Sequence, residues 1–272
     1  IQTSLVGSEM CIRDRSSGIG DTVVEKWLES IMKSYNGDSL DAKDSYVAQL
    51  HFPGKLFQDI VWWALQALPD EILIGLDIDQ GRPHNMEIET IYKSQSHIDN
   101  LFQGQGYVVS EAHIVNRGDS YSVHHLPEDW TDDIFAPNRG ARAGRFTHWL
   151  HTHPNAPAIP SGADADASQE TTGVDLILGL RFSPEGPLPW FDDVEGKRRI
   201  LGDPADANIK PKKRGFSLFG NKGLPVIGVA PSGHKIHEIQ LIAFYKSGLA
   251  VNVIFIDDSG VPYGWNLFNN DQ

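Results

Sequence analysis

His151 and His153 stand two residues apart in a stretch, 146–153, whose residue types predict a β-strand. A strand repeats every two residues, so both imidazoles project from one face and can share one metal ion. Pro154 cannot donate to a sheet ladder, so the strand ends there. Residues 155–160 turn the chain, and Ser161-Gly162-Ala163-Asp164 stands where a helix, 161 to about 171, is expected to begin. These four residues have two readings. One is a capping arrangement, with Ser161 as N-cap and an acid three residues on. The other holds Asp164 in the first helical turn beside the histidines as a third ligand. The two are partly compatible, because the serine hydroxyl can cap the helix or face a metal. Alone the tetrapeptide favours the cap; after His-x-His-Pro at this spacing it favours the metal.

Three protein ligands leave one position of a tetrahedral zinc open, the arrangement of a catalytic rather than a structural site. A water there is acidified toward ~7. A carboxylate within hydrogen-bond reach is then needed to take its proton and return it to a leaving amine. Other histidines fit less well. His148 has odd spacing from the pair and is expected on the opposite face, and the adjacent His124 and His125 point to opposite faces. His113, His234 and His237 show no partner pattern. The single cysteine, Cys11, lies in Leu5-Val6-Gly7-Ser8-Glu9-Met10-Cys11-Ile12-Arg13-Asp14. That run looks like the in-frame translation of a sequencing-library adapter, so residues 1–15 are set aside from the fold. Thiolate catalysis and cysteine-ligated zinc are thereby excluded, as is a zinc nucleobase deaminase, which needs paired cysteines. No Gly-rich phosphate loop or serine nucleophile elbow occurs.

The elements that must position these residues follow from periodicity. Helical spacing covers 21–35, ended by Asn36-Gly37-Asp38-Ser39. A strand at 46–52 leads through Pro53-Gly54 into a helix ending near Ala67, stopped by Pro69. Short strands are expected at 71–78, 107–115, 120–124 and 174–182, and a hairpin joins 238–245 to 249–256 through Lys246-Ser247-Gly248. Residues 79–105 and 183–223 read as loop-rich excursions, the second carrying the basic run Lys210-Pro211-Lys212-Lys213-Arg214, which reads as a solvated loop. Trp62, Trp63 and Trp149 read as packing residues.

Composition bounds the function classes. The chain of 272 residues is 40% hydrophobic and 22% charged, within the range of globular proteins. A net charge of −13 argues against nucleic acid as the primary partner, because phosphate binding needs clustered lysine and arginine. No apolar run approaches the roughly 20 residues that cross a bilayer. The lack of disulfides favours the cytoplasm.

His151-Thr152-His153, seven residues, Ser161, two residues and Asp164 resembles the motif of the JAMM (MPN+) zinc metalloproteases, prokaryotic type. In that family an upstream glutamate follows the first core helix. Here Pro69-Asp70-Glu71-Ile72-Leu73-Ile74 occupies that place, and Glu71 is the match. Glu111, on the strand at 107–115, is the alternative base, but it lacks the helix-proline lead-in. The resemblance runs from about Val47 to Ile256. It implies one zinc held by His151, His153 and Asp164, Glu71 as general base and acid, and Ser161 helping to stabilise an oxyanion. It implies an α+β fold: a mixed, mostly antiparallel curved sheet flanked by helices, with a core like that of the cytidine deaminases. The expected organisation is an N-terminal helical extension at 16–45, a catalytic domain at 46–260 with insertions at 79–105 and 183–223, and a tail at 261–272. The implied reaction is hydrolysis of isopeptide or peptide bonds, with a ubiquitin-like conjugate or peptide as substrate and no nucleic-acid or membrane partner. Two alternatives are an amidohydrolase acting on a small peptide or amino-acid conjugate, and a non-catalytic scaffold, against which the filled ligand positions argue.

Overall fold

Strand-like alternation before Pro53 and helical spacing after Gly54 meet without an intervening loop. In the computed structural model, helix α1 (Lys26–Asp41) is followed by strand β1 (Ala48–Pro53), which runs directly into helix α2 (Gly54–Ala67). The structure describes residues 23–68, 70–79, 88, 92, 107–118, 146, 148–171, 173–184, 190–192, 198–200, 224–230, 233–246 and 248–268. The strand expected at 120–124 and the basic run at 210–214 lie outside them, as does Pro69. α2 buries Phe57, Ile60, Val61, Ala64 and Leu65 on one face. Leu68 at its C-cap is extended, with φ −50° and ψ 141°, the backbone a following proline imposes on the residue before it.

α1 runs past the turn residues expected to end it. Asn36 is fully buried, and its side chain replaces a turn with tertiary bonds. Nδ2 donates to the carbonyls of Phe255 (2.8 Å) and Tyr263 (3.0 Å), and Oδ1 accepts the Phe255 N–H (2.9 Å). Leu28 and Met32 on the same helix join the main core, and α1 lies against the last long strand.

The remaining strands are β2 (Ile72–Asp79), β3 (Tyr107–Arg117), β4 (His148–Pro154), β5 (Asp175–Ser183), β6 (Trp190–Asp192), β7 (Arg198–Ile200), β8 (Gly228–Val229), β9 (Lys235–Tyr245) and β10 (Leu249–Ile256). Helix α3 (Gly162–Glu170) links β4 to β5, and a single turn, α4 (Trp265–Phe268), follows β10. Among the described residues β6 and β7 pair only with each other, inside a stretch expected to be irregular. The main sheet has the order β10-β1-β3-β2-β4-β5-β9-β8, and β9 also pairs with β10.

That last pairing overturns the expected α+β fold, a curved, mostly antiparallel sheet flanked by helices with a cytidine-deaminase-like core. Leu249 pairs with Tyr245 and Ala250 with Phe244, so seven strands return on themselves as a closed β-barrel, with β8 attached to the other end of β9. Strand twist and irregularities supply the curvature. Register shifts fall between Leu73 and Ile74, Asp77 and Ile78, and Arg181 and Phe182, and such bulges bend a strand and increase its twist.

Alternation divides the sheet into two faces. Ile72, Ile74, Leu76, Leu150, Leu176 and Leu178 pack with α1 and α2 in the main core. Leu73, Trp149, His151, His153 and Ile177 alternate with them and therefore occupy the opposite face. A second core joins Val108, Ile254 and Ile256 to Ile88 and Tyr92. Those two residues come from the stretch expected to be a polar loop; both are helical and fully buried, one turn apart. Among the described residues no helix is long and apolar enough to cross a membrane.

Candidate metal centre

β4 lies between two partners that fix its faces. Leu73 of β2 pairs with His151 in antiparallel register, and His151 and His153 pair with Ile177 and Gly179 of β5 in parallel register. Both imidazoles leave the sheet on the face away from the main core. Thr152, between them, turns to the other side, where its hydroxyl oxygen accepts the Ile72 N–H at 3.0 Å. This bond ties the start of β2 to the centre of the histidine strand.

The chain then leaves β4 along a path that needs a glycine. Asn155 takes a left-handed backbone (φ 53°), its N–H donates to the Leu180 carbonyl, and its Oδ1 accepts the Phe182 N–H. The next residues lie directly over Gly179. A Cβ there would stand 2.7 Å from the Ala158 nitrogen and 2.8 Å from the Ala156 oxygen, backbone atoms that cannot yield. Gln240 of β9, paired with Gly179, accepts the Ala158 N–H with its Oε1. The loop is thereby held with the Pro157 carbonyl against His153, whose Nδ1–H donates to it at 2.9 Å. A neutral imidazole protonated on Nδ1 presents a lone pair on Nε2, the tautomer a metal ligand requires.

Ser161 and Asp164 satisfy the capping reading and converge on the histidines at once. Ser161 Oγ accepts the Asp164 N–H at 3.2 Å, and Asp164 Oδ2 accepts the Ser161 N–H at 2.6 Å. The same carboxylate places Oδ1 3.2 Å from His151 Nε2 and Oδ2 3.7 Å from His153 Nε2, while the two Nε2 atoms are 3.1 Å apart. A tetrahedral ion bound at ~2.0–2.1 Å has its ligands about 1.63 times that distance apart, or ~3.3–3.4 Å. Both contacts of His151 come close to that spacing, the approach of Asp164 to His153 runs through the other carboxylate oxygen and is wider, and two imidazoles with a carboxylate suit zinc or another divalent first-row ion. His151 and Asp164 are buried, whereas Ser161 is exposed at the helix start.

Glu71 immediately precedes β2 and is 8% exposed. Its carbonyl accepts the Gly118 N–H at 2.9 Å. With Leu73 opposite His151, continuing the antiparallel register by two residues brings Glu71 level with His153, on the ligand face. Glu111 pairs instead with Asp77, four residues along β2 in the other direction. At ~3.3 Å per residue that is about 13 Å from the Leu73 position. The register therefore favours Glu71 over Glu111.

Sequence reasoning did not find a second convergence. Asp77, Glu111 and His113 each offer one ligand atom, all within 4.8 Å of one another. The spacing Glu111-x-His113 is the same two-residue spacing that drew attention to His151 and His153, but its third member comes from a different strand.

His148 lies on the core face, level with Leu76 and 4% exposed, and burial lowers its pKa from 6.5 to about 4. As pH falls, the unfolded chain takes up this proton before the folded one does. Stability from this residue is therefore intact above ~6.5 and is lost as pH falls from ~6.5 to ~4. At ~1.4 kcal/mol per pH unit the loss approaches about 3 kcal/mol. Urea unfolding of the metal-free protein across this window should show His148→Leu losing less stability than the parent; equal losses would remove His148 as the cause.

Neither a family model nor a characterised protein matches this chain.

Proposed function

We propose that this protein is a zinc-dependent hydrolase of the JAMM type that cleaves isopeptide or peptide bonds, with conjugates of a ubiquitin-like protein as the leading substrate class and the cytoplasm as its compartment. The observation that carries the reading is the convergence of His151 Nε2, His153 Nε2 and the Asp164 carboxylate, with His153 held in its ligating tautomer by Pro157. These residues would hold one zinc per chain. When bound, such an ion supplies an acidified water and a polarised carbonyl.

The chain's own residues supply the rest. Glu71, level with His153 on the ligand face, takes the proton of the attacking water and returns it to the departing amine. Ser161 uses its oxygen lone pair for the Asp164 N–H, which leaves its hydroxyl proton to donate to the oxygen that gains negative charge in the tetrahedral intermediate. The Pro157 carbonyl holds the His153 ring by its Nδ1–H and would orient Nε2 toward the metal.

An amidohydrolase acting on a small peptide or amino-acid conjugate would use the same residues. A panel of ubiquitin-like fusions and short peptides, assayed with and without a chelator, separates the two and tests both. Cleavage should disappear with chelation and return with added zinc. Chelator-insensitive cleavage, or a zinc-loaded protein that cleaves neither class, counts against the proposal.

A further inference from the structure

We propose that Asp77, Glu111 and His113 form a second divalent-cation site, separate from the zinc centre. Asp77 and Glu111 are directly opposed across the antiparallel β2–β3 pair, and His113 stands two residues from Glu111, opposite Gly75. All three side chains share a face. His113 Nε2 is 3.2 Å from Glu111 Oε2 and 3.7 Å from Asp77 Oδ2, and one ligand atom from each residue lies within 4.8 Å of the others. An ion at ~2.0–2.2 Å from each donor fits between them after small side-chain adjustment.

Three features shape this corner, where Glu111 is exposed and His113 and Asp77 are half-buried. The register shift between Asp77 and Ile78 comes directly after the first ligand, where a bulge re-aims a side chain. Gly75 makes room for Phe146, whose Cγ would stand 2.5 Å from a Cβ at that position. The Phe146 ring then packs against the His113 ring, with centroids 5.4 Å apart, and limits its orientation. Two carboxylates placed directly opposite one another destabilise a strand pair, and a bound cation reverses that repulsion.

An imidazole beside two carboxylates favours a divalent first-row transition ion over calcium or magnesium. The ligands leave open positions for water or for an anionic group of a bound molecule. The offset of about 13 Å along β2 is far beyond the ~3.5–4 Å of a two-metal catalytic pair. The ion therefore acts apart from the hydrolytic water, bracing β2 against β3 or anchoring a carboxylate.

The test is equilibrium dialysis of the full chain against cobalt in excess magnesium, with bound cobalt also followed by its visible absorption. The parent should bind two equivalents, and E111Q/H113A and H151A/H153A one each. Asp77→Asn repeats the first test should E111Q/H113A fail to fold. A parent whose only ion is lost in H151A/H153A overturns the second site and leaves the zinc centre standing. A parent whose only ion is lost in E111Q/H113A does the reverse. Equal stoichiometry in the parent, E111Q/H113A and Asp77→Asn also overturns it.

Discussion

Glu71→Gln is expected to retain one zinc per chain and to lose hydrolysis by about 10²–10⁴-fold, the usual contribution of a positioned general base. That loss corresponds to roughly 3–5 kcal/mol in the barrier. Glutamine keeps the size of the side chain at a site only 8% exposed, so packing at the start of β2 changes little. It has no carboxylate to take a proton from water. The proposed zinc shell does not include Glu71, so metal content should stay at the parental level. Kinetics on a cleaved fusion and metal analysis of the same preparation decide the matter. Activity within tenfold of the parent would show that another group moves the proton. Loss confined to Glu111→Gln would place that group on β3, against the register that sets Glu71 level with His153. Loss of zinc along with activity would make Glu71 part of the shell.

The convergence of His151, His153 and Asp164 was legible because each member obeys a local rule. Two-residue spacing puts His151 and His153 on one face whatever the sheet does elsewhere, and an N-cap fixes Asp164 in the first helical turn wherever the helix lies. Glu71 was reached through a family resemblance, since no local period links position 71 to position 153; the β2–β4 register makes that link. Barrel closure was out of reach for the same reason. It depends on β1 lying parallel to β10, with Ala48 level with Val251, and on two residue pairs between β9 and β10. A period within one strand says which face is buried but not whether the sheet returns on itself. Asn36 shows a different failure. In sequence it marks a turn, yet the carbonyls and N–H it meets belong to residues more than 200 positions away, and their bonds carry α1 through it. The Pro157 carbonyl behind His153 was equally hidden, because it depends on how closely a loop can approach Gly179.

Asp164 carries two duties, and paired substitutions should separate them. In the proposed zinc shell it would supply one carboxylate. As the third helical residue it closes the capping box with Ser161. Asp164→Asn keeps an amide oxygen that can accept the Ser161 N–H, so α3 should remain capped, but it removes the charge that draws the metal. Structural zinc sites with four protein ligands bind with ~10–16 kcal/mol, about 3 kcal/mol for each ligand. Affinity should therefore fall on the order of 100-fold. Ser161→Ala reverses the pattern. It removes the acceptor for the Asp164 N–H and should lower the stability of the metal-free protein by about 1 kcal/mol. Its zinc affinity should stay within a few-fold of the parent, while turnover drops with the lost oxyanion donor. Thermal unfolding with and without zinc distinguishes the two. At a free concentration about 100 times the dissociation constant, zinc adds ~2.7 kcal/mol to the parent. That increment should persist in Ser161→Ala and largely vanish in Asp164→Asn at the same zinc concentration. If Asp164→Asn kept the full increment, the aspartate would be a helix cap alone, and the shell would close with a different third ligand.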